Sequence, residues 1–454
     1  MTPPARSSQT DAGSVSAVSA SLLDELGWRG LFHAATPGLA ERLRDPRPVA
    51  GYIGFDPTGP SLHVGHLVPI FGLLHLQRHG GRPVALMGGG TGMIGDPSGT
   101  SAERNLLTRE MVEANTASIR AQLEHFLDFE GPTGALIGDN HAWLGSLKLL
   151  DFLRDVGKHF TVPYMLAKES VATRLEAGLS YTEFSYMLLQ ATDFLELHRT
   201  LGVELQMGGA DQWGNITAGL ELIRRVEGRA EVRAEGREDG GGADRAHGLS
   251  YPLLLDASGK KFGKTAEGTS VWLDPQRTSP FAFYQFWLDR DDAETGKLLR
   301  MFTLRDRPEI EALEASATAA PEARLGQRAL AADLTERVHG ADVLRRVIDV
   351  SEAVFSRTLP SLGPETLAFA FEQLPNAVVG ADALAGGPIG LAVAAGLFGS
   401  NGEARRTISQ GGLSINEIRV TSAEAAVPGP LPGGYLVLRS GKKAYLIVRV
   451  TPAA

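Results

Sequence analysis

The first half of the chain alternates short apolar runs with longer segments that carry apolar residues at helical spacing. Residues 49–55 and 83–87 are apolar runs of strand length, each followed by a Gly-rich turn. Residues 67–76 and 111–129 repeat apolar side chains every three or four positions, which is typical of helices with one buried face. Because strands that alternate with helices are joined by crossovers, the pattern predicts an α/β domain built on a parallel nucleotide-binding sheet.

The rest of the chain divides into segments of different pattern. Residues 229–247 are charged and Gly-rich, which predicts a flexible insertion within the first domain. Residues 280–361 are dominated by Glu, Ala, Leu and Arg, which predicts an all-helical domain. Prolines and glycines over 362–387 predict a loosely structured linker. Residues 1–21, rich in Ser, Ala and Thr, predict a disordered tail, so the first domain covers 22–279.

Residues 388–454 are predicted to form a small α+β module. Ser400 and Glu403 have the spacing of a capping box at the start of a short basic helix. Residues 413–420 are predicted as one strand, and the alternating apolar residues of 435–450 as a hairpin around a Ser-Gly-Lys-Lys turn. The chain is therefore expected to end in a compact mixed module.

The composition excludes several classes of protein. The chain has 454 residues and no cysteine, so disulfide frameworks, thiolate metal sites and cysteine nucleophiles are ruled out. A formal net charge of -9 argues against coating nucleic acid or an anionic membrane through bulk charge. The least charged stretch, 383–402, is interrupted by glycine and proline and does not suit a membrane span of about 20 apolar residues. A soluble, intracellular protein with no membrane partner is expected.

The first candidate site is a pair of histidines at the mouth of a helix. A strand end with the sequence Gly-Phe-Asp-Pro-Thr (54–58) precedes His63-Val64-Gly65-His66. The histidines share one side of the first helical turn, where backbone N–H groups and the helix dipole favour an anion. Gly65 lets a purine ring or a ribose approach the backbone. Surface histidines or a zinc pair would be the ordinary interpretations, but the preceding strand end favours imidazole N–H groups that donate to phosphate.

Glycines at 90, 92 and 95 match the spacing of a dinucleotide fingerprint. That fingerprint should open a helix, whereas Asp96-Pro97-Ser98-Gly99 follows directly and predicts a turn. The dinucleotide interpretation is therefore rejected. Asp96 is predicted to face a site from the end of a Gly-rich strand, with a plain turn-forming Asp-Pro as the alternative.

A polar stripe crosses an otherwise apolar helical segment. Tyr186, Gln190 and Asp193 recur at i, i+4 and i+7, which places them on one helix face. A solvated face is the ordinary interpretation of such a stripe. Apolar residues on both sides favour instead a buried stripe whose polar groups need partners.

Residues 206–215 run from an apolar strand through glycines to Asp211 and Gln212, just before a helix predicted over 216–226. The glycines admit a ligand, Asp211 can accept from ribose hydroxyls and Gln212 can donate to a carboxylate or phosphate. A loop that ends in a helix cap at Asn215 is the alternative, and it does not explain the whole string.

A lysine-rich turn follows. Lys260, Lys261 and Lys264 stand beside Thr265 in a Gly-rich region. Lysines on a mobile loop can neutralise phosphates that gain charge in a transition state. Alone, such a loop is most often a solvated surface, so its assignment depends on the other motifs.

In chain order, these strings resemble the bacterial tyrosyl-tRNA synthetases, a family of class I aminoacyl-tRNA synthetases, from about residue 22 to the C-terminus. Residues 63–66 look like the family's first signature, and 261–265 look like its lysine signature. The resemblance implies a Rossmann-like catalytic domain, a helical anticodon-side domain and a C-terminal RNA-binding module of the ribosomal-protein type. It also implies a cytoplasmic homodimer.

The resemblance assigns residues to four roles, with no resident metal site. The positions that match the family's tyrosine pocket are Tyr52, Asp96, Tyr186, Gln190, Asp193 and Gln206. Those that match its catalytic groups are Thr58, His63, His66, Lys261, Lys264 and Thr265. Those expected at its ATP site are Gly54, Asp56, Gly65, Gly209, Asp211, Gln212 and Lys264. The tRNA contacts are expected at Arg405, Arg406, Lys442 and Lys443.

The implied activity is that of a tyrosine–tRNA ligase. L-Tyrosine and Mg²⁺-bound ATP give tyrosyl-adenylate and pyrophosphate, and the tyrosyl group then passes to the 3′-terminal adenosine of tRNA(Tyr); no tightly bound cofactor is implied. In the family, positions matching Tyr52 and Asp193 hold the substrate phenol, and phenylalanine is rejected because it would leave them unpaired. The alternatives are a tryptophanyl-tRNA synthetase, another HxGH nucleotidyltransferase, and a non-catalytic RNA-binding relative.

The charge is divided unevenly along the chain. Residues 403–454 carry seven basic and three acidic residues, a net charge of +4, which leaves -13 on the remainder. An acidic body with a basic C-terminal module predicts that tRNA binding is sensitive to salt and depends on that module.

Overall fold

The computed structural model describes residues 21–98, 107–175, 178–235, 246–255, 262–263, 269–441 and 444–452. The predicted tail up to residue 20 and the part of the predicted insertion over 236–245 lie outside these residues. Ser21, predicted as the last residue of the tail, is instead the N-cap of the first helix, where its hydroxyl accepts from the N–H of Asp24.

Within the described residues, a six-stranded sheet forms the centre of the first domain, in the order β1-β6-β5-β2-β3-β4. Its strands are β1 (Ala34–Ala35), β2 (Ala50–Phe55), β3 (Arg82–Met87), β4 (Leu136–Asp139), β5 (Val203–Gly209) and β6 (His247–Tyr251). Only the edge strand β1 is antiparallel to its neighbour in this sheet. The chain extends from β2 through β3 to β4 on one side and from β5 to β6 on the other, so the strand order reverses between β2 and β5. Ligands of such sheets bind outside the carboxyl ends of the strands at this reversal.

Helices cover both faces of the sheet. They are α1 (Leu22–Arg29), α2 (Leu39–Arg42), α3 (Leu67–Arg78), α4 (Arg109–Leu123), α5 (His141–Leu144), α6 (Leu149–Asp155), α7 (Val162–Leu166), α8 (Glu169–Leu175), α9 (Tyr181–Leu201) and α10 (Trp213–Glu235). Successive strand residues point to opposite faces: Tyr52 and Val84 pack with α9, whereas Ile53 and Ala85 pack with α3. This two-sided burial explains why β2 and β3 are almost continuously apolar.

The predicted insertion, as far as it is described, is regular structure. α10 continues to Glu235, and His247 is already the first residue of β6. The predicted helical domain agrees with the structure, which has α11 (Pro280–Leu288), α12 (Asp292–Phe302), α13 (Arg307–Ala319), α14 (Leu325–His339) and α15 (Ala341–Ser356).

The C-terminal module is a second sheet covered by short helices. Its helices are α16 (Pro364–Gln373), α17 (Asp382–Ala385), α18 (Gly387–Ala394) and α19 (Asn401–Ser409). Its strands are β7 (Asn376–Gly380), β8 (Leu413–Ile415), β9 (Ile418–Arg419), β10 (Tyr435–Ser440) and β11 (Ala444–Thr451), in the order β7-β11-β10-β8-β9. Leu359 and Leu367 pack with Tyr435, Val437 and Ile447, so the module shares a buried apolar cluster with the helical region.

The prediction of a loose linker over 362–387 is wrong. Pro364 begins α16, and β7 pairs in parallel with β11. Pro388 likewise stands in the first turn of α18. Proline is tolerated in the first turn of a helix because its missing N–H would have no intrahelical partner there. Residues that resemble a linker in the sequence are therefore helix starts.

Two smaller predictions in the module are also wrong. Residues 413–420 do not form one strand, because Asn416 and Glu417 have φ of 50° and 61° and turn the chain between β8 and β9. Ser400 does cap α19, but the carboxylate of Glu403 accepts from the N–H of Gly399 and not from that of Ser400, so the reciprocal capping box is not formed. No helix in the described part of the chain is both long and apolar enough to cross a bilayer.

Candidate active site

A cavity of about 590 Å³ opens where the carboxyl ends of β2 and β5 diverge. It is lined by every predicted site residue of the first domain that the structure describes, namely Tyr52, Gly54, Asp56, Thr58, His63, Gly65, His66, Asp96, Tyr186, Gln190, Asp193, Gln206, Gly209, Asp211 and Gln212. Lys261, Lys264 and Thr265 lie outside the described residues. The sheet thus brings together side chains that are up to 160 positions apart in the sequence.

The two histidines have fixed tautomers. His63 precedes a short 3₁₀ turn, and its Nδ1 accepts from the N–H of Gly65 at 3.0 Å. The Nδ1 of His66 accepts from the N–H of His63 at 3.1 Å. A backbone N–H can only donate, so neither Nδ1 carries a proton, and a neutral ring must carry its proton on Nε2. Both imidazoles therefore offer an Nε2–H donor at the wall of the cavity.

The packing of the turn keeps these rings in place. Burial and, to a smaller degree, the nearby His63 ring, with its centroid 4.0 Å away, lower the pKa of His66 to about 3. His66 is thus a neutral donor at pH 7. A Cβ built on Gly65 would lie 2.8 Å from Cε1 and 3.0 Å from Nδ1 of His63. Only glycine therefore leaves room for the His63 ring over this turn.

One end of the cavity has buried groups suited to a phenol. The hydroxyl of Tyr52, a residue only 1% exposed, has no hydrogen-bond partner among the described residues. The nearby Asp193, 2% exposed, accepts from Asn140 Nδ2 at 2.9 Å and from Trp143 Nε1 at 2.7 Å. Burial raises the pKa of Asp193 to about 8, although both hydrogen bonds act in the opposite direction. A buried hydroxyl without a partner is costly, and a ligand that accepts from it would remove that cost.

A second group of polar side chains lines the same cavity and comes from the carboxyl ends of β2 and β5, the turn after β3, and α9. Gln212 Nε2 donates to Asp96 Oδ2 at 2.7 Å, and Gln190 Nε2 donates to Gln212 Oε1 at 3.3 Å. The hydroxyl of Tyr186 donates to Asp56 Oδ2 at 2.8 Å. Two carboxylates, a phenol and two amides therefore meet within one connected region, which suits an ammonium and a carboxylate of a small zwitterion.

Sequence reasoning missed several members of these networks. Asn140 bridges Asp193, Thr91 and the N–H of Gly90, and Trp143 holds the other oxygen of Asp193. Asn140 follows the carboxyl end of β4, so its place directly after a strand was an available signal. Trp143 gave no such signal, because only the fold brings it to Asp193.

Asn215, considered as a helix cap, has a different place. It lies inside α10, is 3% exposed, and its Nδ2 donates to Gln190 Oε1 at 3.0 Å. It therefore orients the amide that faces the cavity. Thr91 is a further residue that the sequence did not single out, and its hydroxyl donates to Asp56 Oδ1 at 2.7 Å.

Within the lysine-rich segment, 260–265, the structure describes Phe262 and Gly263. Phe262 is buried, with its ring centroid 5.8 Å from those of Phe286 and Trp287. Gly263 has φ of +103°, and a Cβ there would lie 2.8 Å from a methyl group of Val64. Gly263 therefore lies directly beside the histidine turn.

The predicted RNA contacts belong to the C-terminal module. Arg405 and Arg406 are exposed on α19, whereas Lys442 and Lys443 lie outside the described residues. In the described part of the chain, no group of three His, Asp or Glu side chains could hold a metal ion.

Comparison with known proteins gives a consistent result. The family "tRNA synthetases class I (W and Y)" matches residues 44–356, and the family "Tyrosine–tRNA ligase SYY-like C-terminal domain" matches residues 367–448. The tyrosine–tRNA ligase of Anaeromyxobacter dehalogenans is 49% identical over 433 residues, which covers 94% of this chain and 99% of that protein. The tyrosine–tRNA ligase of Geobacillus stearothermophilus is 47% identical over 434 residues, with the same coverage of both chains.

Solved structures agree. A C-terminally truncated mitochondrial tyrosyl-tRNA synthetase of Aspergillus nidulans superimposes with a TM-score of 0.64 at 30% identity. The superposition covers 74% of this chain and 94% of that chain.

Proposed function

The chain belongs to the tyrosine–tRNA ligases, a branch of the class I tRNA synthetases, and from this premise we propose how its residues carry out the reaction. L-Tyrosine, Mg²⁺-bound ATP and tRNA(Tyr) are the proposed substrates. The observation that carries the assignment to tyrosine is the closed end of the cavity, where Tyr52 has a buried hydroxyl without a described partner and Asp193 is held by two donors.

The phenol of tyrosine satisfies both groups at once. Its O–H donates to the Asp193 carboxyl, and its oxygen accepts from the Tyr52 hydroxyl. The ammonium group is then placed near Asp96, Tyr186 and Gln190, which line the same cavity. Phenylalanine fits the same space but gives the buried Tyr52 hydroxyl no acceptor and Asp193 no phenol donor; the unpaired hydroxyl alone costs on the order of 1–3 kcal/mol.

Activation requires positioning and charge stabilisation. The tyrosine carboxylate attacks the α-phosphorus of ATP, the bond to the pyrophosphate oxygen breaks, and tyrosyl-adenylate and pyrophosphate form. The Nε2–H donors of His63 and His66 and the hydroxyl of Thr58 are proposed to stabilise the phosphate oxygens as their charge rises. Lys261, Lys264 and Thr265 are assigned the same role from the family signature, and Asp211 the ribose hydroxyls. Gly54, Asp56, Gly209 and Gln212 complete the proposed ATP site.

Exchange of pyrophosphate into ATP tests this function. We expect exchange with tyrosine and no more than background exchange with tryptophan or phenylalanine at equal concentration. Exchange driven by tryptophan would favour the tryptophanyl alternative. Absence of exchange with every amino acid, from a protein that still binds tRNA, would favour a non-catalytic RNA-binding relative.

The C-terminal module is assigned a role in the second step, the transfer of the tyrosyl group to tRNA. Because the module is the basic part of an acidic chain, we propose that Arg405 and Arg406 of α19, with Lys442 and Lys443, contact tRNA phosphates. Replacing Arg405 and Arg406 by glutamate should weaken tRNA charging, most strongly at low salt, because fewer phosphate contacts release fewer counterions, while tyrosine-dependent exchange stays unchanged. Equal loss of both activities would contradict this division of labour.

The division of the chain into a catalytic part (22–279) and a helical anticodon-side part (280–361) is proposed on the same basis. Because the proposed product, charged tRNA, is used in translation, we further propose that the protein acts in the cytoplasm.

We propose that the protein is a homodimer. Large apolar side chains are exposed along α6, α7, the end of α8 and the start of α9. This apolar face comprises Leu147, Leu149, Leu150, Leu153, Val162, Leu166, Leu175 and Tyr181. Monomeric proteins seldom expose so many clustered apolar residues. A second copy of the chain is the occupant that the family resemblance implies.

Sedimentation equilibrium tests the dimer. Wild-type protein should sediment at twice the mass of one chain, whereas Leu149→Asp with Leu150→Asp should shift it toward the monomer. Phe355→Asp is the control, because Phe355 is 72% exposed on α15, outside the apolar face. A wild-type protein that is monomeric at micromolar concentration would overturn the proposal.

A further inference from the structure

The backbone that leads into the first signature pairs with the backbone that follows the lysine signature. The N–H of Val64 donates to the carbonyl of Val271 at 3.0 Å, and the N–H of Leu273 donates to the carbonyl of Leu62 at 2.9 Å. The four residues are buried, three of them at 0–1% exposure and Leu273 at 2%. The two signatures are therefore joined by a short antiparallel ribbon in the core.

The register of this ribbon sets His63 directly opposite Trp272. The two hydrogen bonds flank the pair without involving it, which is the arrangement in which opposed side chains come closest. The rings of His63 and Trp272 meet edge to face, with centroids 5.9 Å apart and planes at 70°.

Both the backbone and the ring of Trp272 have further neighbours. The backbone N–H of Trp272 donates to the hydroxyl of Thr278 at 2.9 Å, and the guanidinium of Arg277 lies 5.9 Å from the ring centroid. A Cβ built on Gly59 would lie 3.9 Å from the six-membered ring. The indole therefore lies against the loop that carries Thr58, as well as against His63.

The same ribbon also contacts Gly263, in the middle of the lysine signature. The N–H of Val271 donates to the carbonyl of Gly263 at 3.0 Å. A shift of the backbone at 271–273 would thus affect both Gly263 and the ring that contacts His63.

We propose that Trp272 is a positioning residue for adenylate formation: its indole, opposite His63 in the ribbon, holds the His63 ring at the tilt that aims Nε2–H into the cavity. The proposal rests on the proposed function, because it concerns the same activation step. His63 already has its Nδ1 fixed by Gly65. The ring of His66 lies on one side of the His63 ring, and the edge-to-face contact with Trp272 further restricts its tilt and so aims Nε2–H.

Substitutions at Trp272 test the proposal in the full chain. Trp272→Leu keeps apolar volume but loses the aromatic edge, and it should lower kcat for tyrosine-dependent exchange ~10- to 100-fold, since small misplacements of a catalytic group cost this much. The KM for tyrosine should stay within about twofold, because the phenol end of the cavity is untouched. Trp272→Phe should restore most of the rate. Trp28→Phe, in α1 and outside the cavity, is the matched control and should leave the rate unchanged.

A double-mutant cycle with His63→Asn separates positioning from a general structural effect. If Trp272 acts through His63, the Trp272→Leu/His63→Asn protein should be no slower than His63→Asn alone. Multiplicative losses, or an unaffected Trp272→Leu enzyme, would overturn the proposal. If Trp272→Leu fails to fold, Trp272→Phe carries the same cycle with a smaller effect. A wild-type protein without tyrosine-dependent exchange would refute the proposed function itself, which is a different result.

Discussion

Gly65→Ala is expected to lower the rate of tyrosyl-adenylate formation by ~10²- to 10³-fold, the loss typical of removing a preorganised donor to a charged transition state. The new Cβ would lie 2.8 Å from Cε1 and 3.0 Å from Nδ1 of His63. The imidazole must then swing away, and the hydrogen bond from the Gly65 N–H that fixes its tautomer is lost. The phenol and ammonium ends of the cavity are not in contact with this turn, so tyrosine affinity should change little.

Single-turnover formation of the adenylate, with tyrosine affinity measured separately by equilibrium titration, checks this expectation. Gly27→Ala is the matched control, because a Cβ at Gly27 meets no described atom within 4 Å and the residue lies in α1. That control should keep full activity. A Gly65→Ala enzyme with a normal rate would show that the His63 orientation is not required for the step.

Asp193→Asn is expected to remove most of the discrimination between tyrosine and phenylalanine. In the wild type both carboxyl oxygens accept, one from Asn140 and one from Trp143. An amide offers only one acceptor oxygen, so one of these donors must face an NH₂ group, and the substrate phenol loses its acceptor. Losing this hydrogen bond and leaving the buried phenol O–H of the substrate unpaired should together lower kcat/KM for tyrosine ~10²- to 10³-fold.

Phenylalanine supplies the internal control for this prediction. It has no hydroxyl to pair with Asp193, so its low kcat/KM should change by much less than that of tyrosine. Tyr52→Phe should have a smaller effect, ~10-fold on tyrosine, because it removes one hydrogen bond between neutral groups. Steady-state exchange with tyrosine and with phenylalanine gives, for each of the two variants, the ratio of its kcat/KM to that of the wild type. An equal decline for the two substrates would place Asp193 outside phenol recognition.

The sequence was most informative where function depends on spacing within one element. Tyr186, Gln190 and Asp193 lie on one face of α9 and line one cavity, as their i, i+4, i+7 spacing predicts. His63, Gly65 and His66 likewise lie within one turn, where neighbours in the sequence are neighbours in space. In such cases the backbone geometry of the helix or turn determines the arrangement almost alone.

Sequence reasoning was wrong where local composition has two structural meanings. Proline and glycine over 362–387 are typical of linkers, but Pro364 and Pro388 are equally suited to the first turn of a helix. The outcome there was decided by β7, which pairs with β11 more than 60 residues later in the chain. No local window contains that pairing.

The chain by itself determined the alternating strands and helices, the absence of thiol chemistry, the basic C-terminal module and the signatures that lie within single elements. Only the tertiary structure decided which partners hold those signatures: Asn140 and Trp143 on Asp193, Asp56 on Tyr186, and Trp272 on His63. The physical reason is that periodicity and turn chemistry act over a few residues. Contacts between residues 50 to 210 positions apart depend instead on strand order and on the register of a backbone ribbon.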